Sequence, residues 1–271
     1  MNPTPSPEVG GAITALVQGR HQQPHDLLGQ HLEPGGLRIR VLKPLAQSVQ
    51  VRFEDGVTLD LAHEAEGVWT AVRADAERTM DYRLAVAWAD GIEHVQDDPY
   101  RFAPTLGEVD LHLVNEGRHE LLWTVLGSRL HEYDGPMGPV KGVAFAVWAP
   151  RAKAVRVIGD FNDWDGRIHP MRMLGGSGAW ELFVPAVGVG NIYKYENRGA
   201  DDVVRTKADP MARRTECPPN TGSVVDASGH EWGDAQWMEQ RAQSNPHTGP
   251  MSTYEVHLGS WRQGLSYREM A

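Results

Sequence analysis

The sequence predicts an all-β protein: two tandem immunoglobulin-like β-sandwiches joined by a helical linker, with one β/α unit after them. Three observations predict it. Apolar residues alternate with polar ones at period two through most of the chain, the pattern of strands that bury one face. Gly, Asp, Asn and Pro interrupt these runs at short intervals, as turns between antiparallel strands require. The same anchor residues recur at a fixed spacing, the mark of a duplicated unit.

Leu37–Ile39–Val41, Val49–Val51–Phe53 and Tyr82–Leu84–Val86–Trp88 each keep period two in the first half. Val143–Phe145–Val147 and Trp180–Leu182–Val184 do so in the second. Residues 192–195 alternate as well, so Lys194 points away from Tyr193 and Tyr195. LRIRVLKPLAQSVQVR, from Leu37, aligns with VAFAVWAPRAKAVRVI, from Val143, and sets Pro44 opposite Pro150. Trp69 matches Trp180, Tyr82 matches Tyr193, and Asp98–Pro99 matches Asp209–Pro210, each pair 111 residues apart. One offset across three anchors implies two copies of one sandwich with like strand order.

The anchors divide the chain. Residues 1–24 open with MNPTPSPEVGG and read as a flexible lead-in. The first sandwich takes 25–115, a helical linker 116–135, and the second sandwich 136–226. Leu121, Leu122, Val125 and Leu126 fall on one helical face of the linker, and Gly127 lies near its stop. A connector over 227–250 leads to the β/α unit of 251–271. There Thr253–Leu258 reads as a strand, and Ser266 with Glu269 has the spacing of a capping box. A lone β/α unit has nothing to bury its faces against, so the protein is expected to continue into a larger α/β domain.

Composition excludes several function classes. Asp and Glu outnumber Lys and Arg, 36 to 26, for a formal charge of -10, which argues against nucleic acid or an anionic membrane as the main partner. No run approaches the length of a membrane span, and the N-terminus lacks the charged and apolar blocks of a secretory signal. Cys217 is the single cysteine and has no disulfide partner within the chain. These features read as a cytoplasmic protein. Among the 12 histidines, His21 and His25 have i,i+4 spacing, but Pro24 between them breaks a shared helix face. No metal site is expected. Gly175–Gly178 precedes a strand rather than a helix, so it is a hairpin turn and not a phosphate cradle. No cofactor is expected.

The most informative stretch is Val155–Arg172, VRVIGDFNDWDGRIHPMR. A strand ends in Gly159 and runs into a turn-forming cluster that carries Trp164 beside Asn162 and two aspartates. A Trp at the tip of a polar loop offers a flat apolar face beside hydrogen-bonding groups, which suits a sugar ring with a hydroxyl rim.

These motifs together resemble the glycogen (1,4-α-glucan) branching enzymes. The resemblance rests on Asp98-Pro-Tyr-Arg-Phe-Ala-Pro with Leu106-Gly-Glu-Val-Asp-Leu-His, on Phe145-Ala-Val-Trp-Ala-Pro, on Gly159-Asp-Phe-Asn-Asp-Trp-Asp-Gly with His169-Pro-Met, and on Tyr254-Glu-Val-His-Leu-Gly-Ser-Trp. It covers nearly everything after about residue 25. It implies two N-terminal sandwiches, the second a glycogen-binding-like module, followed by the truncated start of a (β/α)8 catalytic barrel near Met251. The family's retaining chemistry, in which α-1,4-glucan segments are transferred to 6-hydroxyls, uses carboxyl groups at the ends of later barrel strands. None of those strands lies within residues 1–271. No catalytic residue is therefore assigned, Glu255 included, and the chain alone is expected to be inactive. The resemblance implies α-glucan and the protein's own barrel as partners. It makes Trp164 a stacking platform, Lys194 a hydroxyl-binding cation and Asn162 a third substrate-binding residue. Such modules often carry a second Trp shortly before the Asp-Pro, and here Asp201–Arg205 has no aromatic. Two alternatives share some of these motifs: another enzyme of the same clan (debranching or trehalose-releasing), and a stand-alone glycogen-binding protein.

Overall fold

The computed structural model describes residues 5–270. After helix α1 (Pro7–Val17) the first sandwich comprises β1 (Gly29–Glu33), β2 (Gly36–Leu42), β3 (Ser48–Phe53), β4 (Thr58–Ala65), β5 (Val68–Arg73), β6 (Tyr82–Ala87) and β7 (Glu93–Gln96). All pairings are antiparallel, in the order β1-β2-β5-β4-β3-β6-β7. The first part of β4 pairs with β3 and its last part with β5, with a register shift between His63 and Ala65. A bulge of this kind bends a strand, and β4 thereby passes from one layer to the other. Leu37, Ile39 and Val41 meet Val51, Phe53, Tyr82 and Leu84 in the core between the layers. These are the inward positions of the alternating runs.

Helix α2 (Glu108–Asn115) precedes the second sandwich: β8 (Gly127–Tyr133), β9 (Val140–Trp148), β10 (Ala154–Gly159), β11 (Arg172–Met173), β12 (Ala179–Pro185), β13 (Ile192–Arg198), β14 (Val204–Lys207), β15 (Arg214–Thr215) and β16 (Ser223–Val224). The order β8-β9-β12-β11 reproduces β1-β2-β5-β4, and β10-β13-β14 reproduces β3-β6-β7. Register repeats too. Val41 lies opposite Trp69 and Val147 opposite Trp180. Each indole N–H donates 3.1 Å to a backbone carbonyl, Lys43 in one copy and Ala149 in the other. The copies differ in two places: β15 and β16 extend the second beyond β13, and the joint between layers changes. The layers of the second copy are linked by one isolated bridge, Arg156 to Pro170, because residues 160–171 loop out where residues 54–57 make a short turn in the first. The sandwiches are not beads on a linker: Leu42, Val68 and Tyr100 pack in one cluster with Val143, Phe145, Trp180 and Tyr193.

Three expectations need correction. Residues 7–17 are not a flexible lead-in. Ser6 caps α1, Pro7 occupies its first turn, and Ile13 and Leu16 are fully buried. The carbonyls that a helix leaves unpaired at its C-terminus need partners. Arg156 donates to Val17, and Arg198 to Gln18 and Gly19, at 2.8–2.9 Å. Residues 1–4 of the expected lead-in lie outside the described residues. The helical linker over 116–135 is also misplaced. The helix is α2 at 108–115, one 3-10 turn spans Leu122–Thr124, and β8 pairs along the whole edge of β9. Gly127, expected as a helix stop, starts that strand at φ +90°, and a side chain there would meet the Met211 carbonyl oxygen at 2.9 Å. Close backbone approach, not helix termination, is the reason for this glycine.

The third correction concerns the C-terminal segment, where residues 228–271 form a separate unit. It holds α3 (Ala235–Gln243) and two single helical turns, Leu258–Trp261 and Tyr267–Met270. The expected strand at Thr253–Leu258 does not form. A strand needs a neighbour for its ladder, and none is offered within this unit. Half of the capping box forms: Glu269 accepts from the Ser266 N–H and hydroxyl, both at 2.8 Å, while the Glu269 N–H donates to the Ser266 carbonyl instead of the hydroxyl.

His25 is an anomaly in this architecture. Its ring is edge-on to Tyr100 at 5.1 Å, and both ring nitrogens are buried without a protein partner. Burial first, and then the Arg172 cation, pushes the imidazole down to about 2, so it folds neutral and unpaired. A buried polar group without a partner costs about 1–3 kcal/mol. We expect His25→Phe to raise the urea-unfolding free energy by about that amount, and an unchanged or lower midpoint would refute it.

Candidate carbohydrate-binding site

The loop that leaves β10 is assembled residue by residue. Gly159 is pressed against β13: a Cβ there would meet the Ile192 carbonyl oxygen at 2.4 Å and the Phe161 ring at 2.5 Å. The Asp160 carboxylate accepts from the Asn191 amide at 2.8 Å and the Ile192 N–H at 3.0 Å, tying the loop to the start of β13. Phe161 stacks on Phe145, ring centroids 5.6 Å apart. Asp163 and Trp164 both take left-handed backbone conformations, φ +52° and +60°, which is costly for a Trp and marks a constrained turn. The Trp164 N–H closes that turn on the Gly159 carbonyl at 2.9 Å. The result is an indole 43% exposed on a rigid tip.

The three residues singled out from the sequence take different parts. Trp164 is the exposed aromatic. Lys194 is half-buried on β13, while Tyr193 and Tyr195 beside it are buried. Its Nζ donates to Thr221 Oγ1 at 2.8 Å, which leaves two ammonium hydrogens free. Ile158 lies opposite Lys194, and Gly159 opposite Tyr193, so the lysine borders the root of the Trp164 loop. Asn162 is different, because it is buried. Its Oδ1 accepts from the Gly159 N–H, and its Nδ2 donates to the Val157 carbonyl and faces His169 Nδ1, all at 2.9–3.0 Å. Both amide hydrogens are thus used inside the loop, so Asn162 builds the site and has no donor left to offer a ligand. No aromatic supplements Trp164 from the β13–β14 turn, where Arg205 forks onto Asp201 at 2.7 and 2.9 Å.

Comparison with known proteins follows this division of the chain. Residues 10–100 match the family described as "alpha-1,4-glucan branching enzyme GlgB, N-terminal domain", and residues 126–212 match "Carbohydrate-binding module 48 (Isoamylase N-terminal domain)". The chain is 53% identical to the 1,4-alpha-glucan branching enzyme GlgB of Rhodococcus jostii over 96% of its length, and 55% identical to that of Thermobifida fusca over the same share. The chain matches the N-terminal region of the GlgB branching enzymes. It spans 35% and 34% of those two relatives. The module that the second match covers starts at residue 126, which agrees with a second sandwich opening at β8 rather than after a linker.

Within the second sandwich, the loop is backed by a neutral histidine. Burial first, and the Lys43 ammonium second, hold the His169 imidazole down at about 3, consistent with Nδ1 accepting from Asn162. An unfolded histidine titrates near about 6.5. Between that value and about 3 the unfolded chain binds a proton that the folded chain refuses, so stability falls as pH falls across the window. Buried Asp98 and Asp209, whose carboxyls burial pushes up, act in the opposite sense. A comparison with a variant isolates the histidine. From pH 7 to pH 5 the parent should lose about 2 kcal/mol more stability than His169→Gln, by urea titration at each pH. Identical pH profiles would show that His169 titrates in the folded chain as it does in the unfolded one.

Among the described residues, no three His, Cys, Asp or Glu side chains are grouped to hold a metal ion. None of their helices is long and apolar enough to cross a membrane. The sequence reading missed one feature. The inner side of the Trp164 loop and the first sandwich together line a cavity. The contributions of Lys43, Leu45 and Trp88 carry no motif signal of their own.

Proposed function

We propose that this chain is the N-terminal, glucan-handling portion of a cytoplasmic 1,4-α-glucan branching enzyme. In that reading the whole protein transfers α-1,4-glucan segments to 6-hydroxyls on a catalytic barrel, and residues 251–271 belong to the start of that barrel. The two sandwiches support and position it. The observation that carries the reading is the order of the two matched families on two copies of one sandwich, the second copy presenting an exposed Trp on a braced loop. Trp164 stacks on a sugar face, Lys194 donates to hydroxyls at the loop root, and Asn162 keeps the loop in shape. In that reading the carboxyl groups that retaining transfer requires stand on the barrel and not on the sandwiches.

Two outcomes follow. Incubated with amylose, the purified 271-residue chain should form no new branch points, scored as chain ends released by a debranching enzyme; turnover would place catalytic groups within the sandwiches. Binding should be weak, because one platform and one cation leave most of an oligosaccharide in water. We expect a Kd for maltoheptaose of about 100 μM or weaker by calorimetry. Trp164→Ala should weaken it by about tenfold, the upper range of an aromatic stacking contact. Parent-like affinity in that variant would overturn the assignment of Trp164.

A further inference from the structure

The cavity behind the Trp164 loop has the make-up of a ligand site in its own right. Pro44, Leu45 and Trp88 of the first sandwich face Phe161, Asp163, Ile168 and His169 of the second across about 390 Å³, inside the range of about 300–1,000 Å³ for small-molecule sites. Its apolar wall is Trp88 and Leu45, the latter 71% exposed. Two hydrogen-bond donors stand at its base. The Lys43 ammonium is buried and makes one hydrogen bond, to Gln96 Oε1 at 3.1 Å, so two of its three hydrogens lack a partner. His169 Nδ1 accepts from Asn162, which puts the ring proton on Nε2, and Nε2 has no hydrogen-bond partner among the described residues. Acceptors stand at the rim: the Asp163 carboxylate, and that of Asp165, which Arg167 neutralises at 2.6 Å. A second cavity of about 310 Å³ adjoins the first and shares Lys43, Gln96, Phe161 and His169 with it, so a linear ligand has room to continue.

This combination selects by chemistry. Carboxylates at the rim oppose an anion. An apolar wall facing a donor base and an acceptor rim fits a neutral ring with one apolar face and several hydroxyls. We propose that the junction between the two sandwiches is a second carbohydrate subsite. It takes a short neutral sugar segment against Trp88 and Leu45, with hydroxyls on Lys43, His169 and Asp163. It is distinct from Trp164, whose side chain is not among the groups that line the cavity. One loop therefore serves two sites, Trp164 on its outer side and Asp163 and His169 on its inner side.

The test uses the 271-residue chain in a Trp164→Ala background, where the outer site is absent, with maltotriose as the probe in calorimetric titration. Trp88→Ala should then weaken binding by about fivefold to tenfold, and Leu45→Gln by about twofold to threefold. Trp88 packs against the first core, so its variant is accompanied by a melting curve. Leu45 is exposed, and its exchange leaves the core untouched. The proposal fails if the Trp164→Ala chain binds no maltotriose, or if neither further substitution changes its affinity. It also fails if inorganic phosphate binds at millimolar concentration and displaces maltotriose, which would make the site an anion site. The assignment of Trp164 is read separately, from the single variant against the parent, so either site can fail without the other.

Discussion

Each sandwich is closed by a buried phenol on a buried carboxylate, and the rest of the architecture hangs on that contact. Tyr82 donates to Asp98 at 2.7 Å, and Tyr193 donates to Asp209 at 2.5 Å. The other oxygen of each carboxylate accepts from the backbone N–H two residues on, Tyr100 in one copy and Met211 in the other. The carbonyls of those same two residues lie where side chains on Gly29 and Gly127 would be. One carboxylate thus ties strand six of a copy to its closing turn and, through that turn, to its first strand. Burial pushes both aspartates up, and the donors aimed at them counter it. Buried carboxylates are costly unless fully paired, which is why the Tyr and the Asp-Pro recur at the same offset in both copies.

The closing turns do more than finish a sandwich. After Asp98, Tyr100 enters the core cluster of the second copy and donates to the Pro170 carbonyl at 3.1 Å. Arg172, on the strand after the Trp164 loop, donates to the Phe102 carbonyl and pairs with fully buried Glu181 at 2.7 Å. The Asp-Pro-Tyr-Arg-Phe segment is therefore the adhesive between the copies. An apolar seam with paired charges inside it resists the relative motion that domains on a flexible tether show by default. Rigidity at this junction gives the inner side of the Trp164 loop a fixed wall to face.

The loop shows how two copies of one fold diverge. In the first, β3 turns directly into β4 and the layers stay hydrogen-bonded. In the second, residues 160–171 replace that turn, and a single bridge survives at Arg156–Pro170. The lost ladder is replaced by side chains: Asp160 on β13, Asn162 across the loop, and Phe161 on Phe145. Trp164 combines an exposed side chain with a left-handed backbone, the two properties on which its proposed part as a stacking platform rests.

By itself the sequence determined the duplication, the strand runs, the inward positions and the Trp164 loop. These depend on local turn chemistry and on period-two alternation, which one chain displays directly. It also determined that Lys194 turns away from its tyrosine neighbours, since strand geometry leaves no other option. Tertiary structure alone decided what α1 is. Pro7–Val17 is short for an isolated helix and holds because Ile13 and Leu16 enter a distant core while Arg156 and Arg198 satisfy its C-terminal carbonyls. It decided β8 in the same way: Leu121–Leu126 has helical spacing, yet the open edge of β9 next to it recruits Gly127–Tyr133 as a strand. It decided the part of Asn162, whose amide could serve a ligand or a loop until its neighbours take both hydrogens. The cavity at the junction was invisible to the sequence for the same physical reason. Its walls come from two copies of the repeat, and no spacing along one strand records what the other copy brings against it.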